Sequence, residues 1–125
     1  MFPGYNTNGF SHHALEDAIE IIADLGYAGV GLTLDVHHLN PFTASPGDIH
    51  RIRDLLQKHD LKCVVETGSR FILDRRRKHW PTLLTMEEQD RRQRSSFLNL
   101  SIAIAKELNA ECVSFWSGTP NEQEG

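Results

Sequence analysis

Glu66 closes the apolar run Cys63-Val64-Val65, and a carboxylate at such a position must meet a cation, a hydrogen-bond donor or water. Other polar groups end apolar runs in the same manner. Asn6 follows Gly4-Tyr5, Asp35 with His37 and His38 follows Gly31–Leu34, and Trp116 follows Val113–Phe115. A carboxylate in this setting accepts a substrate hydroxyl, joins a metal shell or shuttles a proton. Imidazole binds a divalent metal, transfers a proton near neutral pH or hydrogen-bonds a sugar hydroxyl. An indole offers a flat apolar wall on which the C–H face of a sugar stacks while polar neighbours bond its hydroxyls. Arg70, shortly after Glu66, is the candidate to reach a substrate phosphate or carboxylate.

Each of these residues also has a plainer reading. Glu66 serves equally as a structural partner for Arg70 or for a helix N-terminus. Extended backbone sends the rings of His37 and His38 apart, so one at most faces a pocket. The alternative for these rings is packing on Phe42 or a bond to backbone. Trp116 fits ordinary core packing. The basic groups Arg75-Arg76-Arg77-Lys78 and Arg91, Arg92, Arg94 are offset by Asp74, Glu87, Glu88 and Asp90, and read as a solvated loop and helix face. No Walker loop, GxSxG elbow, HExxH or paired CxxC is present, so those chemistries have no support.

The elements that must position these groups alternate in type. Ser11 is expected to N-cap a first helix whose Leu15, Ala18, Ile19, Ile22 and Leu25 recur at helical spacing, with His12 and His13 on the surface of its first turn. Gly26 sits where a left-handed residue ends a helix. A strand follows over Tyr27–Leu34. A second helix is expected over Pro46–His59, with Asp48 at its start and Ile49, Ile52, Leu55 and Leu56 as its stripe. Leu61–Glu66 reads as a strand, and Thr67–Thr85 as a long connection of the kind that carries function. The third helix spans Thr85–Leu108, burying Phe97, Leu100, Ile104 and Leu108, and Glu111–Trp116 is the fourth strand.

Strands that alternate with helices form a parallel sheet, since each must return by a crossover. Strand parity then sorts the faces. Val30, Leu32, Leu34, Cys63, Val65, Val113 and Phe115 face the helices. Gly31, Thr33, Asp35, Val64, Glu66, Ser114 and Trp116 face the opposite side, with Asn6 joining them. The expected fold is α/β, the N-terminal half (about four β/α units) of a (β/α)8 TIM barrel, in which strand ends build the active site. The 125 residues fit half of the roughly 250 that a whole barrel needs. We expect one partial domain over residues 1–125, cut off after strand four.

A net charge of −4 and a pI near 5.9 give no electrostatic reason to expect nucleic acid or a membrane surface as partner. No stretch approaches the roughly 18 apolar residues of a membrane span, and the N-terminus lacks a signal pattern. Cys63 and Cys112 have no metal-type spacing and are expected as buried free thiols in a reducing cytoplasm.

LEDAIEIIADLGYAGVGLTLD resembles the first βαβ unit of xylose isomerase-like TIM barrels, the group that includes the AP endonuclease 2 family. NTNGF, DVHHLNPF, ETGSRFILDRRRKHWPTLL and CVSFWSGTP resemble the sugar phosphate isomerase/epimerase branch of that group. The resemblance implies a divalent metal held by Glu, Asp, His and Glu from later strands. It also implies proton transfer at the carbon beside a carbonyl of a sugar or polyol. Those positions lie beyond Gly125, so no metal ligand and no catalytic glutamate is assigned here. For this part of the barrel the resemblance implies a substrate side at Asn6, the His37-His38 region, Glu66 and Trp116; with Arg70 added, the expected set that binds a small sugar or sugar phosphate is Asn6, His38, Glu66, Arg70 and Trp116. Two rivals follow from the same residues. One is a DNA-repair endonuclease, which needs metal-binding histidines at strand ends and a basic face. The other is a non-catalytic half-barrel that binds a ligand or forms a homo-oligomer to close its sheet.

Overall fold

The computed structural model describes residues 3–115. Four parallel strands lie in the order β1 (Gly4–Asn6), β2 (Gly29–Thr33), β3 (Lys62–Glu66) and β4 (Cys112–Ser114). Between them run α1 (Leu15–Asp24), α2 (Pro46–Lys58) and α3 (Glu88–Glu107). Sequential order with parallel pairing is the topology of a partial TIM barrel, as the alternation of elements predicts. The register sets Asn6 beside Gly31, Thr33 beside Glu66, and Glu66 beside Ser114. The carboxyl ends of β2, β3 and β4 are therefore level, while β1 ends two residues short of them, beside Gly31.

Parity holds on the helix side. Val30, Leu32, Leu34, Cys63 and Val65 are all buried against the helices, with Ile19 and Ile22 of α1, Ile52 and Leu56 of α2, and Ile104 of α3 completing the core. Each large aliphatic side chain so buried contributes about 1.5–3 kcal/mol. The other face of the sheet is open. Val64 is half-buried there, and Cys112, its neighbour in register, is exposed, contrary to the expectation of two buried thiols. Beyond β4, Leu98 and Ile102 of α3 line an apolar groove with Val113 and Phe115. Among the described residues no helix is long and apolar enough to cross a membrane.

Helix ends depart from the expected ones for local reasons. A 3-10 turn over Thr7–Phe10 occupies the chain right after β1, so Ser11 is the C-cap residue of that turn rather than the N-cap of a helix, and α1 begins at Leu15 with Ala14 at its N-cap. Glu16 and Asp17 in the first turn meet the positive end of the helix dipole instead. Leu25 is the C-cap residue and is 66% exposed, which removes it from the stripe, while Gly26 takes the left-handed φ of +89°. In α2, Ser45 and Asp48 form a reciprocal capping box: the Asp48 N–H donates to Ser45 Oγ at 3.1 Å and the Ser45 N–H to Asp48 Oδ2 at 2.9 Å. α3 starts at Glu88 rather than Thr85, because the Thr85 hydroxyl accepts from the Thr82 N–H and its carbonyl from Arg91 Nη1. Leu100 points outward, and Ser101 and Ala105 take the inward places between Phe97 and Leu108.

Candidate active site at the strand ends

Asn6, Thr33 and Glu66 are drawn into one network across three strands. Asn6 Nδ2 donates to Glu66 Oε2 at 2.5 Å. Asn6 Oδ1 accepts from the Thr33 hydroxyl at 2.7 Å and from the Asn8 N–H at 2.8 Å, and the latter bond caps the 3-10 turn. The buried Thr7 hydroxyl accepts from the Thr33 N–H at 3.0 Å and ties the same turn to β2. The amide of Asn6 is thus held on both ends, and it fixes one oxygen of Glu66. Glu66 Oε1 makes no hydrogen bond among the described residues. Gly31 leaves the room: a Cβ there would stand 3.2 Å from Asn6 Nδ2 and 3.6 Å from Glu66 Oε1. A hollow of about 260 Å³ lined by Gly4, Asn6, Gly31, Val64 and Glu66 opens on this face.

Arg70 does not pair with Glu66. Its guanidinium is bound to Asp35, with Nε donating to Oδ2 at 2.9 Å and Nη2 donating to the same oxygen. Both side chains are partly buried, and Asp35 Oδ1 accepts the Val36 N–H. Asp35 and His38 also exchange backbone hydrogen bonds of 3.0 and 3.1 Å, closing the loop after β2 into a tight turn. The turn separates the two histidines. His38 is 1% exposed with Nε2 donating to the carbonyl of His13 at 2.8 Å, whereas His37 is exposed. A cleft of about 390 Å³ lies over this turn, lined by Ser11, His12, Asp35, His37, Arg70 and Lys78 among others. The structure therefore brings Asn6 to Glu66, and Arg70 to Asp35, in two neighbouring hollows.

The backbone beyond Glu66 is pinned from α3 and β4. Thr67 Oγ1 donates to the Ser114 carbonyl at 2.7 Å. Arg94 Nη2 donates to the Thr67 carbonyl at 2.7 Å, and His79 Nδ1 donates to the Gly68 carbonyl at 2.7 Å. Arg94 is fully buried, which corrects the reading of its arginine group as a solvated face. Burial pulls its pKa below the ordinary arginine value. A sequence signal existed: Arg94, Phe97, Ser101 and Ile104 recur at helical spacing on the inward stripe. The loop residues Asp74 and Arg77 are consumed locally. Asp74 accepts the N–H groups of Arg76 and Arg77 and the Arg77 side chain, which holds its carboxyl below the usual range, and Arg77 stacks over Trp80. Trp116 lies outside the described residues.

Among the described residues no group of three or more His, Cys, Asp or Glu side chains stands close enough to hold a metal ion. Glu66 and Asp35 engage an amide and a guanidinium respectively, not each other. The described residues of this site do not fit a metal cage.

The fold that holds this carboxylate beside its open hollow is that of a partial TIM barrel. A family profile described as xylose isomerase-like TIM barrel matches residues 6–125, and the chain belongs to that family. Among curated proteins no relative matches. Two solved structures share the fold. A D-psicose 3-epimerase in the presence of D-fructose superposes with a TM-score of 0.72 over 94% of this chain, at 13% identity. A D-allulose 3-epimerase from Methylomonas sp., in complex with D-allulose, superposes with a TM-score of 0.69 over 97% of this chain, at 15% identity. The chain spans 37% and 41% of the lengths of those two proteins. At such identity the likeness concerns the fold.

Proposed function

We propose that this chain forms the substrate-binding side of a sugar isomerase or epimerase, in which Glu66 accepts a hydrogen bond from a hydroxyl of a sugar or sugar phosphate. In the complete barrel a divalent metal would supply Lewis-acid chemistry for a proton transfer on a hydroxy-carbonyl compound. Its ligands come from outside residues 3–115. Asn6 acts as a positioning residue, since its amide holds Glu66 rather than standing open to solvent. Trp116 supplies a stacking wall, and the protein works in the cytoplasm.

The observation that carries this reading is the half-satisfied carboxylate of Glu66: one oxygen fixed by Asn6, the other without a partner among the described residues, above the space that Gly31 leaves. Family membership and the sugar complexes of the two structural neighbours support it. A hydrogen bond to a charged acceptor contributes about 1.5–3 kcal/mol, so Glu66→Gln should weaken sugar binding by about tenfold or more. The test is a titration of the isotope-labelled chain with D-fructose and D-allulose, followed by amide shifts. We expect shifts at Gly31, Thr33 and Glu66, reduced in the variant. Equal affinity of wild type and Glu66→Gln would remove Glu66 from the site.

A further inference from the structure

We propose that Arg94 is a positioning residue for Glu66: its buried guanidinium, reaching from α3 to the Thr67 and Gly68 carbonyls, sets the backbone on which the carboxylate stands. The role rests on the reading of Glu66 as the acceptor of a sugar hydroxyl, and it names the group that keeps that acceptor aimed.

The charge of Arg94 is the first argument. Arg94 is the largest fully buried side chain of the described residues, and none of their carboxylates pairs with it. Its acceptors are two peptide carbonyls, Thr67 from Nη2 at 2.7 Å and Gly68 from Nη1 at 3.5 Å. The Nε–H is buried and makes no hydrogen bond among the described residues. Phe97 lies beside the group, its ring centre 5.3 Å from the guanidinium carbon. A buried charge that meets no opposite charge destabilises a fold, and an apolar side chain of similar volume is often neutral or better in its place. Core packing therefore does not account for an arginine at this position.

The place where its donors end is the second argument. Thr67 and Gly68 carry the first two carbonyls beyond β3, directly after Glu66. The chain then turns through Ser69, which is fully buried and holds a left-handed φ of +56° that few non-glycine residues adopt. Such a conformation persists only where the surroundings over-determine it. Here Arg94 holds the turn from one side. His79 holds it from another, with Nδ1 donating to the Gly68 carbonyl and its N–H donating to the Arg70 carbonyl, each at 2.7 Å. The turn so fixed carries Glu66 at one end and Arg70, bound to Asp35, at the other. An arginine suits this task because its planar fork reaches two neighbouring carbonyls at once. Asn6 fixes the carboxylate itself from β1, and Arg94 fixes the backbone behind it from α3.

The experiment compares Arg94→Met and Arg94→Lys with the wild-type chain, by urea melts and by NMR of the isotope-labelled protein with and without D-fructose. The side-chain amide of Asn6 reports on Glu66 before any ligand is added, because Nδ2 donates to that carboxylate. Arg94→Met should move the Asn6 side-chain signal and the backbone amides of residues 67–70, and should weaken D-fructose binding about tenfold. Its urea midpoint should stay close to that of the wild type, since removal of an unpaired charge offsets the lost bond to Thr67. Arg94→Lys keeps the charge but holds one carbonyl in place of two, and should give a smaller change in the Asn6 signal and in affinity. The proposal is overturned if Arg94→Met keeps the Asn6 signal and the sugar affinity of the wild type. It is overturned as well if Arg94→Met loses most of its stability while Arg94→Lys leaves the Asn6 signal unmoved, since Arg94 would then serve the core alone. If D-fructose shifts no amide of the wild type, the sugar reading of Glu66 falls, and the Asn6 signal still decides whether Arg94 positions the carboxylate.

Discussion

The two faces of the sheet are built to opposite rules. On the helix side, Val30, Leu32 and Val65 are at most 1% exposed, and nothing polar interrupts them. On the other side, Gly31, Val64 and Cys112 are partly or fully open, and every strand contributes a polar group or a glycine. The same backbone serves both, because successive residues of a strand alternate. The sealed face holds the fold together. The open face can therefore carry Asn6, Thr33 and Glu66 without sacrificing the core, at the cost of satisfying them with one another.

The two cysteines report this contrast directly, with the largest effect expected. Burial pushes the Cys63 thiol up to about 12, and the thiolate is the reactive form, while Cys112 is exposed on the opposite face. Iodoacetamide at pH 8 should alkylate Cys112 at least about a thousandfold faster than Cys63 in the folded chain, with the two rates converging in denaturant. Peptide mass spectrometry separates the sites, and equal rates would break the two-face description. Linkage adds a pH consequence. The unfolded thiol ionises near 9.0 and the folded one near 12, so stability from this group is intact below the first value and declines as pH rises towards the second.

Truncation should sharpen the same comparison. Leu32 is fully buried against the helices, and Leu32→Ala should cost about 2–5 kcal/mol. Val64, half-buried on the open face, has fewer partners to lose, and Val64→Ala should cost about 0.5–1 kcal/mol. Urea melts of both variants give the ratio. Similar losses would mean that the open face is as tightly packed as the sealed one.

What was legible in the sequence follows from how local each signal is. Strand parity needs only the next residue, so the sealed face, the four strands and their order were readable from apolar spacing. The partner of Glu66 was not, because Asn6 is 60 residues away and the obvious neighbour, Arg70, is claimed by Asp35 instead. The start of α1 was misread for a related reason. Ser11 is a good cap in isolation, but the Asn6 and Thr7 side chains tie the preceding 3-10 turn to β2 and use up the chain that Ser11 would begin. Arg94 was hidden by its charged neighbours Arg91 and Arg92, although its helical spacing from Phe97 marked the inward stripe. Composition outweighed period there, and period was the better guide.

The smallest effect expected belongs to neither face. The Ser45–Asp48 capping box sits on the exposed rim at the start of α2, and Pro46 fits the first turn because no hydrogen bond is asked of its nitrogen. Ser45→Ala should cost about 1 kcal/mol, below the Leu32 truncation and close to the Val64 one. The Ser45 backbone N–H, followed by the Arg51 side chain, lowers the Asp48 carboxyl from its ordinary value. That contribution is present above the unfolded carboxylate pKa and is lost as pH falls through the lower folded one. Urea melts between pH 6 and pH 3 should therefore show the Ser45→Ala penalty shrinking at the acid end, as Asp48 loses its charge in both proteins. A penalty that stays constant across that range would mean that the serine hydroxyl alone, without the reciprocal carboxylate, sets the start of α2.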